Sequence, residues 1–127
     1  MKIINDTSFN NRSLFDLVKH ARISHKNVDL IHFMEDNDTF MVQTSEGLQE
    51  TVGLCTSFDS TRVFIVRFCG NEFVNEKVKH QRGKLGITTV ELLLHELEHV
   101  RQVSDQLNWS GEVMELKACK AEKMARG

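Results

Sequence analysis

The stretch that decides the fold is Thr88-Thr-Val-Glu-Leu-Leu-Leu-His-Glu-Leu-Glu-His-Val-Arg-Gln-Val103. Thr88 and Glu91 stand three residues apart in a capping-box pattern, which predicts the start of a helix over residues 88–107. At 100° per residue this helix has two neighbouring arcs. One arc holds His95, Glu96 and His99 with Leu92 and Val103, and the other holds Val90, Leu93, Leu97 and Val100. The pattern therefore predicts a helix that buries an apolar arc and keeps a polar arc for a site.

The polar arc carries the pattern His95-Glu96-Leu97-Glu98-His99. Histidines at i and i+4 project side by side, so both imidazoles reach one Zn²⁺ at about 2.0–2.1 Å, and Glu96 borders the same cavity. Glu98 points away and is predicted to be a solvated surface charge. With 6 His and 11 Glu in the chain, about 0.02 accidental matches are expected, so chance explains the pattern poorly. His95 and His99 are therefore predicted to be metal ligands.

A catalytic zinc ion takes a third protein ligand and keeps a fourth position for water. In the metzincin pattern HExxHxxGxxH, a glycine ends the helix and lets a later residue turn back to the metal. Here Gln102 replaces that glycine, and Asp105 is the later residue. Because nothing ends the helix at Gln102, Asp105 is predicted to project away from the histidines.

A second helix is predicted over residues 111–125, opened by the polar stretch Asn108-Trp109-Ser110-Gly111. Small residues on one of its faces allow a close approach to the metal helix. That face contains Met114, Ala118, Ala121 and Ala125. Glu115 borders this face and is the favoured third ligand, while Glu112 and Glu122 stay open as alternatives. Glu115 and Glu122 lie about 10 Å apart along the helix axis, so they do not both hold one ion.

Two segments taken together, His95-Glu-Leu-Glu-His99 and Glu115-Leu-Lys-Ala118, resemble the gluzincin pattern, in which HExxH is followed by ExxA on a later helix. Gln102 is similar to the glutamine of the HELxHxxQ form that is common in small bacterial and phage-encoded metallopeptidases. The resemblance covers residues 61–125 and implies a minimal zincin-like fold, one Zn²⁺ per chain and hydrolysis of peptide bonds. Cys119 stands where the family more often has Asp or Asn.

The remaining residues predict a small α+β fold in a single domain, 1–127. Apolar residues at helical spacing predict a first helix over 13–23. Residues 28–34 and 39–44 are β-rich and separated by an acidic turn, which predicts a hairpin. Residues 61–68 predict a strand with two apolar faces, and we expect its free edge to pair with a peptide. A small mixed or antiparallel sheet is therefore predicted to pack against the metal helix, with helices at both ends of the chain.

Composition and charge exclude several classes of protein. A chain of 127 residues suffices for one core but not for two lobes that flank a cleft. Its 16 Lys+Arg and 18 Asp+Glu leave a net charge of −2, so no global field favours nucleic acid or an anionic membrane. No apolar run has the length of a signal peptide or membrane span, which predicts a cytoplasmic protein, in the host cytosol if a phage encodes it. The three widely spaced cysteines are predicted to be reduced.

The functional prediction is a zinc-dependent peptidase acting on a peptide or protein. His95, His99 and Glu115 hold the metal in this hypothesis, and Glu96 is the general base. The alternative is a zinc-binding, catalytically weak module that binds a partner protein. Nucleic-acid binding through the cations of the last helix is a poorer prediction, because the helix dipole explains cations near a C-terminus.

The chain has no tyrosine, although many zincins use a tyrosine or histidine to stabilise the oxyanion. His80, in a polar loop predicted over residues 70–87, is the first candidate for that role. His20, His25, His32 and nearby arginines are the other candidates.

Overall fold

The computed structural model describes residues 1–57, 62–70, 89–105 and 110–124. The fold is α+β, as predicted, and this part of the chain forms three helices, a four-stranded mixed sheet and a two-stranded antiparallel sheet. The helices are α1 (Asn11–His20), α2 (Thr89–Ser104) and α3 (Gly111–Met124). The strands are β1 (Lys2–Asp6), β2 (Leu30–Asp36), β3 (Phe40–Thr44), β4 (Gly47–Thr51), β5 (Gly53–Ser57) and β6 (Val63–Cys69).

The mixed sheet has the strand order β1-β2-β6-β5. Strands β1, β2 and β6 are parallel, and β5 is antiparallel to β6. Ile31 of β2 pairs with Phe64 of β6, and Phe33 pairs with Val66, so these four side chains share one face. Among the described strands, β5 forms an edge of the sheet, and it also contacts α2.

The core lies between the apolar face of the sheet and the helices α1 and α2. Phe64, Val66 and Phe68 alternate along β6 and are fully buried. The same cluster includes Leu14, Val18, Ile31, Phe33, Leu93, Leu97 and Val100. On the opposite face Val63, Ile65 and Arg67 are half-buried, and Cys69 is fully buried. Full burial of one face and partial burial of the other agree with the apolar residues on both faces of β6.

Helix α1 begins and ends earlier than the predicted range 13–23. The side chain of Asn10 accepts a hydrogen bond from the backbone N–H of Ser13 at 2.7 Å, which caps the helix before residue 11. Beyond its last turn, Arg22 takes a left-handed φ of 59°. The N–H groups of Arg22 and Ile23 donate to carbonyl oxygens of that turn. This Schellman arrangement ends the helix although no glycine is present.

The predicted hairpin between residues 28–34 and 39–44 is wrong. Strand β2 pairs in parallel with β1 and β6, and β3 pairs with β4 instead. The turn between β3 and β4 ends at Gly47, which has a φ of 105°. Glycine adopts this conformation at little steric cost. The acidic stretch 35–38, which begins inside the last residues of β2, looks locally like a hairpin turn. Ile31 and Phe33 of β2 are nevertheless fully buried, and β2 is an inner strand of the sheet.

The predicted strand over residues 61–68 is confirmed as β6, except that Thr61 lies outside the described residues. Its expected free edge is wrong. Strand β6 lies between β2 and β5 and is hydrogen-bonded on both sides, so its backbone is not open to a peptide. Among the described strands, the edge strand next to α2 is β5, whose short run Gly53–Ser57 gave no clear strand pattern.

The two predicted helices that follow are confirmed as α2 and α3 within the described residues. Of the predicted apolar arc of α2, Val90 is 40 % exposed and is not part of the core. Val90 faces a groove beside α1, together with Leu17 and Leu94. The predicted loop over residues 70–87, apart from Gly70, and the capping residue Thr88 lie outside the described residues. In the described ranges, no helix is long and apolar enough to cross a membrane.

Replacing Phe64 by alanine is expected to lower the free energy of unfolding by about 3–5 kcal/mol, because it removes a fully buried ring and leaves a cavity. Phe15→Ala is the control, since Phe15 is exposed on α1 and its removal should cost about 0.5 kcal/mol or less. Urea denaturation of the metal-free protein measures both values. Equal losses in the two variants would contradict the assigned core.

Candidate metal centre

The polar arc of helix α2 faces α3. Leu93, Leu97 and Val100 of the apolar arc are fully buried in the core, which fixes the rotation of the helix about its axis. His95 and Glu96 are then nearly enclosed, with 4 % and 6 % of their surface exposed. Neighbouring ionisable side chains are costly to bury unless they have partners, and such groups are typical of functional sites.

A capping residue begins helix α3, and a small residue allows α3 to pack against α2. The hydroxyl and carbonyl oxygens of Ser110 accept hydrogen bonds from backbone N–H groups of the first turn at 3.4 and 3.0 Å. Ala118 is fully buried, and its small side chain allows the two helices to approach closely. This packing holds Glu115, one turn before Ala118, over the polar arc of α2.

The structure brings the three predicted ligands, His95, His99 and Glu115, together. The Nε2 atoms of the two histidines are 3.3 Å apart. Nε2 of His95 lies 3.0 Å from Oε1 of Glu115, and Nε2 of His99 lies 3.2 Å from Oε2. Donor atoms that share a tetrahedral zinc ion at about 2.0–2.1 Å are about 3.3 Å from one another. The donor types and their separations therefore fit a single zinc ion.

The charges in this cluster depend on one another. Hydrogen bonds from His95 and His99 lower the pKa of Glu115, so its carboxylate stays ionised. Burial favours the neutral form of His99, but the hydrogen bond to Glu115 and the negative charge of Glu96 outweigh it and raise the pKa of His99. A proton on Nε2 has to leave before that nitrogen can bind a cation, so metal binding here releases protons.

Gln102 fixes the orientation and tautomer of His99. The Nε2 group of Gln102 donates to the backbone carbonyl oxygen of Met114 at 3.0 Å. Because a carbonyl oxygen only accepts, the atom that faces Nδ1 of His99 at 3.1 Å is the Oε1 atom of Gln102. Nδ1 is then a hydrogen-bond donor, and once Nε2 loses its proton, its lone pair is directed at the metal position. Gln102 is fully buried, and it links the metal helix to α3.

The alternative third ligands lie elsewhere or outside the described side chains. Asp105 accepts a hydrogen bond from Asn27 at 3.1 Å, so it is turned away from the histidines, as predicted. Glu112 is exposed in the first turn of α3. In the described ranges, the His, Cys, Asp and Glu groups with ligand atoms within 4.8 Å of one another include Glu115 and not Glu112. The side chain of Glu122 is outside the described part.

The prediction that Glu98 is a solvated charge is wrong. Its side chain is only 13 % exposed and forms a two-pronged ion pair with Arg101, with N–O distances of 2.6 and 2.9 Å. Arg101 follows one turn later on α2 and closes over the carboxylate. Lys117 and Lys120 of α3 line the same cavity as Glu98. The approach of α3 therefore covers a helix face that looks solvent-exposed when α2 is considered alone.

Glu96 lies against the edge strand β5. A Cβ atom at Gly53 would lie 3.2 Å from Oε1 of Glu96 and 2.8 Å from Cδ1 of Leu92, so the absence of a side chain at Gly53 permits this approach. Burial and the negative charge of Glu96 raise the pKa of the nearby Cys55 thiol to about 12. Sequence reasoning missed both contacts, because it did not predict β5.

Cys119 is a further member of the cluster that sequence reasoning missed. Its Sγ atom and one ligand atom each of His95 and Glu115 all lie within 4.8 Å of one another. Cys119 follows Glu115 by four residues, so both side chains project from the same face of α3. The i, i+4 spacing with Glu115 is visible in the sequence, but the approach to His95 depends on how α3 packs on α2. Cys119, Cys55 and Cys69 form no disulfide with one another in the structure.

The predicted oxyanion donors are not brought to this cluster in the described part of the chain. His80 lies outside that part. His25 packs against Phe15, and His32 pairs with Asp6. His20 lines a groove on the neighbouring face of α2.

Comparison of the chain with protein-family models, curated proteins and solved structures finds no match. The resemblance to gluzincins therefore depends on the motif residues of this chain alone, and the activity that it implies stays a prediction.

Gln102→Met removes the hydrogen bonds of Gln102 and keeps about the same side-chain volume. It is expected to weaken zinc binding by roughly 10- to 100-fold, because His99 loses the acceptor that orients its ring. Competition with a chromophoric chelator measures the affinity, and thermal unfolding of the metal-free variant checks that it folds. Arg101→Gln, which breaks the ion pair with Glu98, is the control and should bind zinc like the wild type. Wild-type affinity in a folded Gln102→Met variant would contradict this role for Gln102.

Proposed function

We propose that the protein is a zinc-dependent peptidase in which His95, His99 and Glu115 hold the metal and Glu96 is the general base. The mutual distances of 3.0 to 3.3 Å among the three ligand side chains carry this proposal, because they suit one tetrahedral ion. A bound zinc ion would lower the pKa of a water molecule and polarise the carbonyl of a peptide bond. We also propose that the protein acts in the cytoplasm.

The sequence position and the burial of Glu96 support its proposed role as the general base. It follows His95 directly, is 6 % exposed, and belongs to the same arc of α2 as the two histidines. Its carboxylate accepts the proton of the attacking water and delivers it to the leaving amine. A metal site that served only to stabilise the fold would have no use for a buried carboxylate beside its ligands.

The edge of β5 offers a place for an extended substrate. Backbone groups along an open strand edge can pair with a peptide, and side-chain pockets then provide specificity. Gly53 of β5 lies directly against Glu96, so a peptide on this edge would pass close to the general base. This strand takes the substrate role that the sequence suggested for residues 61–68.

A second candidate function is binding of a partner protein by a metal-containing but catalytically weak module. The absence of tyrosine from the chain favours it, because a usual source of oxyanion stabilisation is missing. A phage origin, with a host protein as the partner, stays a prediction. Turnover separates the two functions.

The test compares wild type and Glu96→Gln on a quenched-fluorescence peptide library and on an unfolded protein. Glu96→Gln is expected to keep one zinc ion per chain and to lose roughly 10²- to 10⁴-fold in turnover, because the amide cannot accept the proton. Glu98→Gln is the matched control from the same motif, and it should retain turnover because Glu98 pairs with Arg101. Zinc-loaded wild type without turnover on any substrate would favour the binding module. Equal turnover by wild type and Glu96→Gln would exclude Glu96 as the base.

A further inference from the structure

Helices α2 and α3 each present two potential metal donors at i and i+4. On α2 these are His95 and His99, and on α3 they are Glu115 and Cys119. Side chains at this spacing lie one above the other on one helix face. The two faces meet where Nε2 of His95 lies 3.0 Å from Glu115. Donors from both helices therefore approach one another at this contact.

The thiol of Cys119 is near enough to belong to this set. Sγ of Cys119 and the ligand atoms of His95 and Glu115 lie within 4.8 Å of one another. In a tetrahedral zinc site with a sulfur ligand at about 2.3 Å, sulfur and nitrogen are about 3.6 Å apart. The difference of at most about 1.2 Å is within the reach of a rotation about the single χ1 of a half-buried cysteine.

We propose that Cys119 is the fourth ligand of the metal held by His95, His99 and Glu115, so that the resting centre is closed. On binding, the thiol loses its proton to solvent and the thiolate sulfur bonds to the metal. The two anionic ligands then balance the charge of a divalent ion. This inference rests on the proposed metal site, and it adds a regulation to it. Cys119 occupies the coordination position of the attacking water and has to leave before turnover.

The other two cysteines do not fit this role. Cys69 is fully buried at the end of β6, within the hydrophobic core. Cys55 lies on β5 beside Glu96, and the grouped ligand atoms of the described residues do not include it. Both residues therefore provide matched thiol controls within the same chain.

Cobalt(II) titration of the zinc-free, reduced protein tests the proposal, because a thiolate ligand gives a charge-transfer band in the near ultraviolet. Visible d–d bands report cobalt in the site whether or not sulfur is bound. We expect the charge-transfer band in wild type and in Cys55→Ser, and its complete loss in Cys119→Ser with the visible bands retained. The zinc affinity of Cys119→Ser should fall by at least about tenfold. Loss of a residue that only hydrogen-bonds a metal ligand already weakens metal binding by about that factor, and loss of a ligand should cost more.

Three other results would overturn the proposal in distinguishable ways. A charge-transfer band that persists in Cys119→Ser would exclude Cys119 as the ligand. In a second result, wild type shows visible bands but no charge-transfer band, and His95→Ala loses those visible bands. That result would exclude a thiolate ligand and leave the proposed metal site intact. Absence of any cobalt spectrum in wild type would remove the metal site, and with it the proposed peptidase.

Discussion

The packing of α3 on α2 is the contact on which the candidate site depends. His95 and His99 belong to one helix, and their side-by-side arrangement is a property of that helix alone. Glu115 comes from the next helix, and it reaches both imidazoles only because Ala118 is small and fully buried at the contact. The hydrogen bond from Gln102 to the carbonyl oxygen of Met114 joins the same two helices at 3.0 Å. A single helix–helix contact therefore completes the ligand set and orients one of its members.

The charges of the cluster are suited to a cation. Glu96 and Glu115 place two carboxylates beside two imidazoles in a partly enclosed volume, and charges in such a volume are costly without partners. In the metal-free protein burial opposes a charge on His99, but the hydrogen bond to Glu115 and the charge of Glu96 outweigh it and raise the pKa of His99, which favours a positive charge at this position. A divalent ion would replace that proton and interact with both carboxylates at once. Burial, donor chemistry and charge thus favour the same occupant.

The parts that were predictable from the sequence are those with local causes. Helical periodicity gave α2 and α3 and the shared arc of His95 and His99, and helix spacing favoured Glu115 over Asp105. The errors concern contacts between distant segments. Parallel pairing of β2 with β1 and β6 has no local signal, so a hairpin was predicted instead. Edge status depends on which strand lies outside, so β6 was expected where β5 lies. The burial of Glu98 and the approach of Cys119 likewise required the position of α3.

We propose that one metal ion binds where His95, His99 and Glu115 meet. Elemental analysis of protein purified without chelators, by inductively coupled plasma mass spectrometry, tests it most directly. We expect one zinc ion per chain in wild type and in Asp105→Ala, whose carboxylate is turned toward Asn27, and strongly reduced zinc in Glu115→Ala and His95→Ala. Zinc content in a folded His95→Ala variant equal to that of wild type would contradict it.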